Sequence, residues 1–187
     1  MTPRWHAAVL APVTLLAACA TVPPSNLPPL PLAPHVDLPR FMGDWYVIAN
    51  IPTFLEKGAH NAKDHYELAA DGTIPTTFTF NADTADGPQK HYGSRGHVLD
   101  RSTNAVWGQV YLWPVQADYR ISYLSDDYRL AVIAREKRDH VWIMARTPSI
   151  PDTDYQRLVA FVGTLGYDPT QLQRVPQDAM PPPPVGR

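Results

Sequence analysis

The sequence predicts an all-β fold of eight antiparallel strands followed by one α-helix packed outside, and three observations carry that expectation. Short β-rich runs recur at even spacing from Gly43 to Arg146, polar turn clusters separate them, and the hydrophobic period becomes helical only after Pro151. The runs are 43–50, 61–69, 74–81, 91–99, 105–113, 118–124, 128–135 and 140–146. Between them lie Asp71-Gly72, Asp86-Gly87-Pro88, Asp100-Arg101-Ser102, Pro114, Ser125-Asp126-Asp127 and Lys137-Arg138-Asp139, residues that favour tight turns.

Alternation of period two is clearest in three runs. Phe78 and Phe80 alternate with Thr77 and Thr79, and Trp107, Gln109 and Tyr111 alternate with Val106, Gly108 and Val110. Tyr119, Ile121 and Tyr123 share one face, opposed by Arg120, Ser122 and Leu124. Such a series makes either an antiparallel sandwich or a closed barrel, and periodicity does not choose between them. From Pro151 to Leu165 the apolar residues Tyr155, Leu158, Val159, Val162 and Leu165 follow helical spacing. Asp152 and Asp154 suit the positive N-terminal end of that helix, and Gly166 is a natural stop.

Composition narrows the function. The 187 residues include 44% apolar side chains, enough for one core, and the formal charge of −2 removes the electrostatic case for nucleic acid. Cys19 is the single cysteine, so no intramolecular disulfide exists. It follows Arg4 and the apolar run Ala7–Ala18, which is shorter than the roughly 20 residues that span a bilayer and fits a secretory signal. Leu16-Ala17-Ala18-Cys19 resembles the lipobox of bacterial lipoproteins, which implies cleavage before Cys19, its acylation, and a stable membrane anchor of two or three chains. Ala20 after the cysteine, by the same resemblance, implies outer-membrane sorting, most simply to the periplasmic face. The expected organisation is a signal peptide at 1–18, lipidated Cys19 and a Pro-rich tether at 19–36, the folded domain at 37–176, and a Pro-rich disordered tail at 177–187.

Two segments then decide between sandwich and barrel. Asp37-Leu38-Pro39-Arg40-Phe41-Met42-Gly43-Asp44-Trp45-Tyr46-Val47-Ile48-Ala49 resembles the first motif of the lipocalin family, a helical turn leading into Gly-x-Trp-Tyr. Trp142-Ile143-Met144-Ala145-Arg146-Thr147-Pro148 resembles the motif that closes its last strand, and Phe54-Leu55-Glu56-Lys57-Gly58 is similar to bacterial lipocalins and apolipoprotein D. The family's middle motif, Thr-Asp-Tyr, is replaced here by Ser125-Asp126-Asp127-Tyr128. The resemblance implies an eight-stranded up-and-down β-barrel with the helix outside. It also implies that Trp45 plugs the closed end, that Arg146 lies across its indole, and that Gly43 permits a close crossing beneath it.

An eight-stranded barrel is just wide enough for side chains or for one small ligand. Parity set by Trp45 and by the family pattern puts Val47, Ala49, Phe78, Phe80, Val98, Trp107, Tyr111, Tyr119, Ile121, Tyr123, Ile133 and Trp142 on the lining, with His65 and Gln109 as scarce polar groups. Mostly apolar walls with a few polar groups suit a fatty acid or a lysophospholipid, its head met by His65, a Tyr hydroxyl or Arg135. The competing expectation is that the aromatics fill the barrel completely.

No catalytic function is expected. Lipidated Cys19 leaves no thiol nucleophile, Ser125 has no evident His and acid partners, and no Gly-x-Ser-x-Gly elbow occurs. His91 and His97 would stand about 20 Å apart on one strand, so neither metal nor cofactor is expected. An adaptor lipoprotein with an empty barrel is the alternative function, and a lipid-modifying enzyme is the second alternative. Association into a homodimer is left open.

Overall fold

The computed structural model describes residues 27–112 and 114–178. The eight expected strands are all present: β1 Gly43–Ile51, β2 Ala59–Tyr66, β3 Ile74–Ala82, β4 Gln89–Val98, β5 Val106–Leu112, β6 Val115–Leu124, β7 Leu130–Ala134 and β8 Val141–Ala145. Each pairs antiparallel with the next, and β1 pairs with both β8 and β2, so the sheet closes on itself. Closure satisfies the sheet edges that a sandwich would leave open. A short helix, α1 Leu38–Phe41, precedes β1, and α2 Asp152–Thr164 follows β8. Asp37 caps α1 by accepting a hydrogen bond from the Arg40 amide at 3.2 Å, and Pro39 fits its first turn.

Helix α2 lies outside the barrel, as its spacing predicts. Its buried face of Tyr155, Leu158 and Val162 packs on Ile48, Ala49, Val132, Ala134, Ile143 and Ala145. The alanines on that outer wall let the helix approach closely. Gly166 ends the helix at φ +90°, where a side chain would be strained and would press on Leu27.

A two-residue strand, β9 Gln173–Arg174, was not expected from the sequence. It pairs with Ala49 and Asn50, where β1 and β2 have ceased to pair. Past it the chain crosses to β2: the Asn61 amide donates to the Pro176 carbonyl at 2.8 Å, and Gln177 Nε2 donates to the Val47 and Ala62 carbonyls. The C-terminal strap thus fills a gap in the barrel wall, and Gln177 belongs to the fold where the sequence had placed it in the tail.

The expectation of a Pro-rich tether over 19–36 does not hold for its described part, 27–36. From Leu27 onward the segment 27–36 packs against the barrel, with Leu30, Ala33 and Val36 buried. The Ala33 amide donates to the Ile121 carbonyl and the Val36 amide to the Thr103 carbonyl, both within 2.8 Å. Proline removes donors at intervals, but the donors between the prolines still bind. Cys19, the signal segment and the tail from 179 lie outside the described residues. Among the described residues no helix is long and apolar enough to cross a membrane.

Candidate functional site: a cavity above an aromatic floor

Residues directly opposite one another on paired strands share a face, so Trp45 fixes the parity of the interior. Trp45 stands opposite Asp64, Asp64 opposite Phe78, and Phe78 opposite Tyr92, and that row points inward. The lower part of the barrel is solid. Phe41 packs 4.9 Å from Trp45 and 5.4 Å from Trp107, and Trp107 stacks on Tyr119 at 5.1 Å. Trp45 donates its indole N–H to the Phe41 carbonyl at 2.8 Å, so the plug carries no unpaired polar atom.

Arg146 lies over the Trp45 ring, its guanidinium carbon 4.0 Å from the centroid. It also donates to the carbonyls of Asp44, Arg40 and Phe41 at 2.8–2.9 Å, and to that of Tyr128 at 3.3 Å. One side chain therefore holds α1, the start of β1 and the β6–β7 turn together. Gly43, at φ +92°, gives the backbone a conformation that a larger residue would strain. The altered middle motif, Ser125-Asp126-Asp127-Tyr128, orders its turn and ties it to α1. Tyr128 accepts the Asp37 amide at 2.8 Å and carries Arg40 on its ring, while Ser125 Oγ accepts the amides of Arg129 and Leu130.

Above this floor a cavity of about 370 Å³ remains, within the range of small-ligand sites. The two sequence expectations for the interior each describe one half of it: aromatics fill the base, and space remains toward the mouth. Phe78, Gln109, Tyr111, Tyr119, Ile133 and Trp142 stand on the lining of this cavity. Val47, Phe80, Val98, Trp107 and Ile121 belong to the interior core but pack beneath or beside the cavity without lining it.

Three expected lining residues point outward. Ala49 and Tyr123 belong to the cluster under α2, where Tyr123 meets Phe161 at 5.6 Å and receives a hydrogen bond from Arg157. The cause is a register shift in each strand, between Val47 and Ala49 in β1 and between Ile121 and Tyr123 in β6. One extra residue reverses every side chain beyond it. Ser122, at the second shift, is consequently buried rather than exposed. His65 stands opposite Asp44 on the outer face, where its Nδ1 hydrogen-bonds to the Asp44 carboxylate and its Nε2 lies 3.4 Å from Glu67. Its neighbour Asp64 takes the interior position.

The residues that sequence parity missed come from loops and from β2. The β1–β2 loop folds over the mouth, bringing Thr53, Phe54, Leu55 and Glu56 to the cavity. Glu56 pins it by accepting the Trp142 indole N–H and the Thr53 amide, both at 2.7 Å. Arg135 stands at the mouth with its Nε buried and unpaired among the described residues, while its Nη1 lies 3.4 Å from Asp139. Deeper in, the Tyr66 and Tyr119 hydroxyls share a hydrogen bond at 2.8 Å, and burial raises both phenols well above their ordinary range. Asp64 joins no ion pair among the described residues. Burial pushes its carboxyl up to about 8, with the nearby Glu56 carboxylate adding to the shift and the Tyr66 hydroxyl opposing it. At neutral pH the wall therefore presents a protonated acid and two neutral phenols.

The model of the family described as the lipocalin-like domain matches residues 36–177. The chain belongs to the lipocalin family. This lipocalin is 29% identical over 156 residues to temperature-induced lipocalin-1 of Arabidopsis thaliana, covering 79% of this chain and 82% of the relative. It is 29% identical over 171 residues to the outer membrane lipoprotein Blc of Citrobacter freundii, covering 91% and 94%. Blc of Escherichia coli K12 is 26% identical over 172 residues with the same coverage. Among solved structures, insecticyanin of the tobacco hornworm Manduca sexta superposes with a TM-score of 0.66 at 13% identity, over 83% of this lipocalin and 88% of insecticyanin. That likeness is one of fold.

Among the described residues no group of three His, Cys, Asp or Glu side chains is placed to hold a metal. His91 and His97 are exposed on the outer face of β4.

Proposed function

We propose that this lipocalin is held at the periplasmic face of the outer membrane through an acylated Cys19 and carries one fatty acid or lysophospholipid in its barrel. The observation that carries the proposal is the cavity: apolar walls of Phe78, Ile133, Trp142 and Met144, with the unpaired Nε of Arg135 at its mouth. An acyl chain is stabilised by burial against such walls, at about 25 cal/mol per Å² of apolar area. A carboxylate or phosphate head then lies within reach of Arg135, where a charge-assisted hydrogen bond satisfies a buried donor. The name outer membrane lipoprotein carried by the Blc relatives supports the location, and the lipobox ending in Cys19 supports the anchor. The described lining holds no His or Cys, and its apolar walls favour carriage.

The test is a titration with fatty acids and lysophospholipids of increasing chain length, followed by quenching of Trp142 fluorescence. Saturable quenching and an affinity that rises with chain length and then levels off are the expected results. Ala117 lines the cavity, and Ala117→Phe weakens binding at least about tenfold, a loss of roughly 1.4 kcal/mol. His65→Ala, on the outer face, leaves affinity within about twofold, a few tenths of a kcal/mol. Binding that ignores both chain length and Ala117→Phe would put the ligand outside the barrel and favour the adaptor function.

Anchoring has its own test. Cys19→Ser shifts the protein from the membrane fraction to the soluble periplasm, read by fractionation and by the mass of the intact protein. Continued membrane association of an unacylated variant contradicts the anchor.

A further inference from the structure

Several large apolar side chains of this barrel are left in solvent, and they concentrate at the open end. Phe54 is 82% exposed, Val115 67% and Tyr111 60%, and Leu55 joins them at 40%. Phe54 and Leu55 lie on the β1–β2 loop, while Tyr111 and Val115 lie on the β5–β6 hairpin. Phe54, Leu55 and Tyr111 line the cavity at its mouth, and Val115 stands on the same hairpin as Tyr111, so the four gather around the open end. At the closed end Leu68 and Leu99 are exposed as well, but on separate connections, β2–β3 and β4–β5. Isolated apolar residues on a surface need no explanation, whereas a contiguous apolar rim marks an interaction site.

The path of the N-terminal segment supplies a second, independent observation. At its closed-end terminus the segment enters α1, beneath Trp45. Traced backwards from there it runs up the barrel wall, past Thr103 and then Ile121, to Leu30 under α2. It reaches the open end at Pro28, whose carbonyl accepts a hydrogen bond from Arg138 in the β7–β8 hairpin. Leu27 meets Gly166 just beyond α2. The chain that leads back to Cys19 therefore leaves the barrel at the mouth. Only eight peptide steps separate Cys19 from Leu27, a reach of at most about 28 Å when fully extended.

We propose that the rim of Phe54, Leu55, Tyr111 and Val115 docks on the lipid bilayer that holds the Cys19 anchor, so that the cavity opens directly onto that surface. The identity of the bilayer rests on the anchor proposed above; the docking of the rim does not. A short tether leaving at the mouth holds the open end near the bilayer, and an apolar rim gains by entering its interfacial layer. Beside the mouth Arg135 pairs with Asp139, and Arg138 with Glu136. Docking is driven chiefly by apolar burial and depends little on salt. A ligand leaving the bilayer would enter the barrel without crossing water.

The experiment uses the mature lipoprotein reconstituted in vesicles of phosphatidylethanolamine and phosphatidylglycerol, 3:1. With Cys19 acylated, Phe54→Cys supplies a single thiol for an environment-sensitive dye, and Leu99→Cys supplies the matching probe at the closed end. Lipid-borne nitroxide is expected to quench the dye at position 54 at least threefold more than the dye at position 99, equally in low and high salt. Val115→Glu, on an exposed position outside the cavity lining, should reduce that difference at least twofold. Equal quenching at both ends, or stronger quenching at position 99, overturns the proposal. Acylation is read separately from the mass of the intact protein. An unacylated protein whose dye at position 54 is still quenched keeps the rim and overturns the anchor; an acylated one without quenching does the reverse.

Discussion

Trp45→Ala is expected to destabilise the barrel by about 3–5 kcal/mol, which for a domain of this size is a large part of the total and can prevent folding. The indole is fully buried, packs on Phe41 and gives its N–H to the Phe41 carbonyl, so its removal opens a cavity that the rigid closed end cannot collapse to fill. It also takes away the surface on which Arg146 lies. Arg146→Ala should cost less, about 2–3 kcal/mol, but more than the ring contact alone would suggest, because four carbonyls from three segments lose a charged donor. Urea unfolding followed by tryptophan fluorescence measures both. A Trp45→Ala protein that unfolded at the parent midpoint would remove the plug from the account.

The second large effect concerns pH. Asp64 has its folded-state acidity pushed to about 8, against an ordinary value of 3.8. Below the ordinary value both folded and unfolded chains hold the proton, and the full stability is present. Between about 4 and 8 the unfolded chain releases a proton that the folded chain keeps, so stability falls as pH rises, and it levels off above 8. Because the carboxyl faces the cavity and is only partly enclosed, the total loss is on the order of a few kcal/mol, below what the whole shift would give. Asp64→Asn removes the ionisation while keeping the shape. At pH 9 the variant is expected to be more stable than the parent by about 2–3 kcal/mol, with little difference at pH 4. Unfolding midpoints across that range decide the matter, and parallel curves for the two proteins would show that Asp64 does not ionise as described. Acyl-chain binding should follow the same course, weakening above pH 8 in the parent and not in the variant, since an apolar tail laid against an ionised carboxylate strips its hydration.

How far each residue's place is legible in the sequence follows from the range over which its signal acts. Strand number, turn positions and helix α2 were legible because alternation, turn chemistry and helical spacing are local. The pairing of Trp45 with Arg146 came from motifs about a hundred residues apart, and their meeting at the barrel base agrees with the family pattern. Phe78, Gln109, Tyr119, Ile133 and Trp142 followed from parity in strands without an intervening irregularity.

Parity carried across an irregularity fails, because a bulge adds one residue without leaving a mark in composition. The segments Val47-Ile48-Ala49 and Ile121-Ser122-Tyr123 read as uninterrupted alternation, and only their partners β8 and β7 show where the register slips. His65 and Asp64 pose a related problem: both are polar, and either could face the ion pairs outside. The pairing of Asp44 with His65 and of Trp45 with Asp64 decides it, and that pairing is a property of two strands. What the sequence determined by itself was the set of elements and the residues that seal the base, since these depend on neighbours along the chain and on one long-range motif pair. The tertiary structure alone decided which acid is buried and that the C-terminal strap fills the gap between β1 and β2. It also decided that the segment before α1 runs up the barrel wall and reaches the open end at Pro28. Each of these is set by contacts between segments whose residues carry no trace of one another.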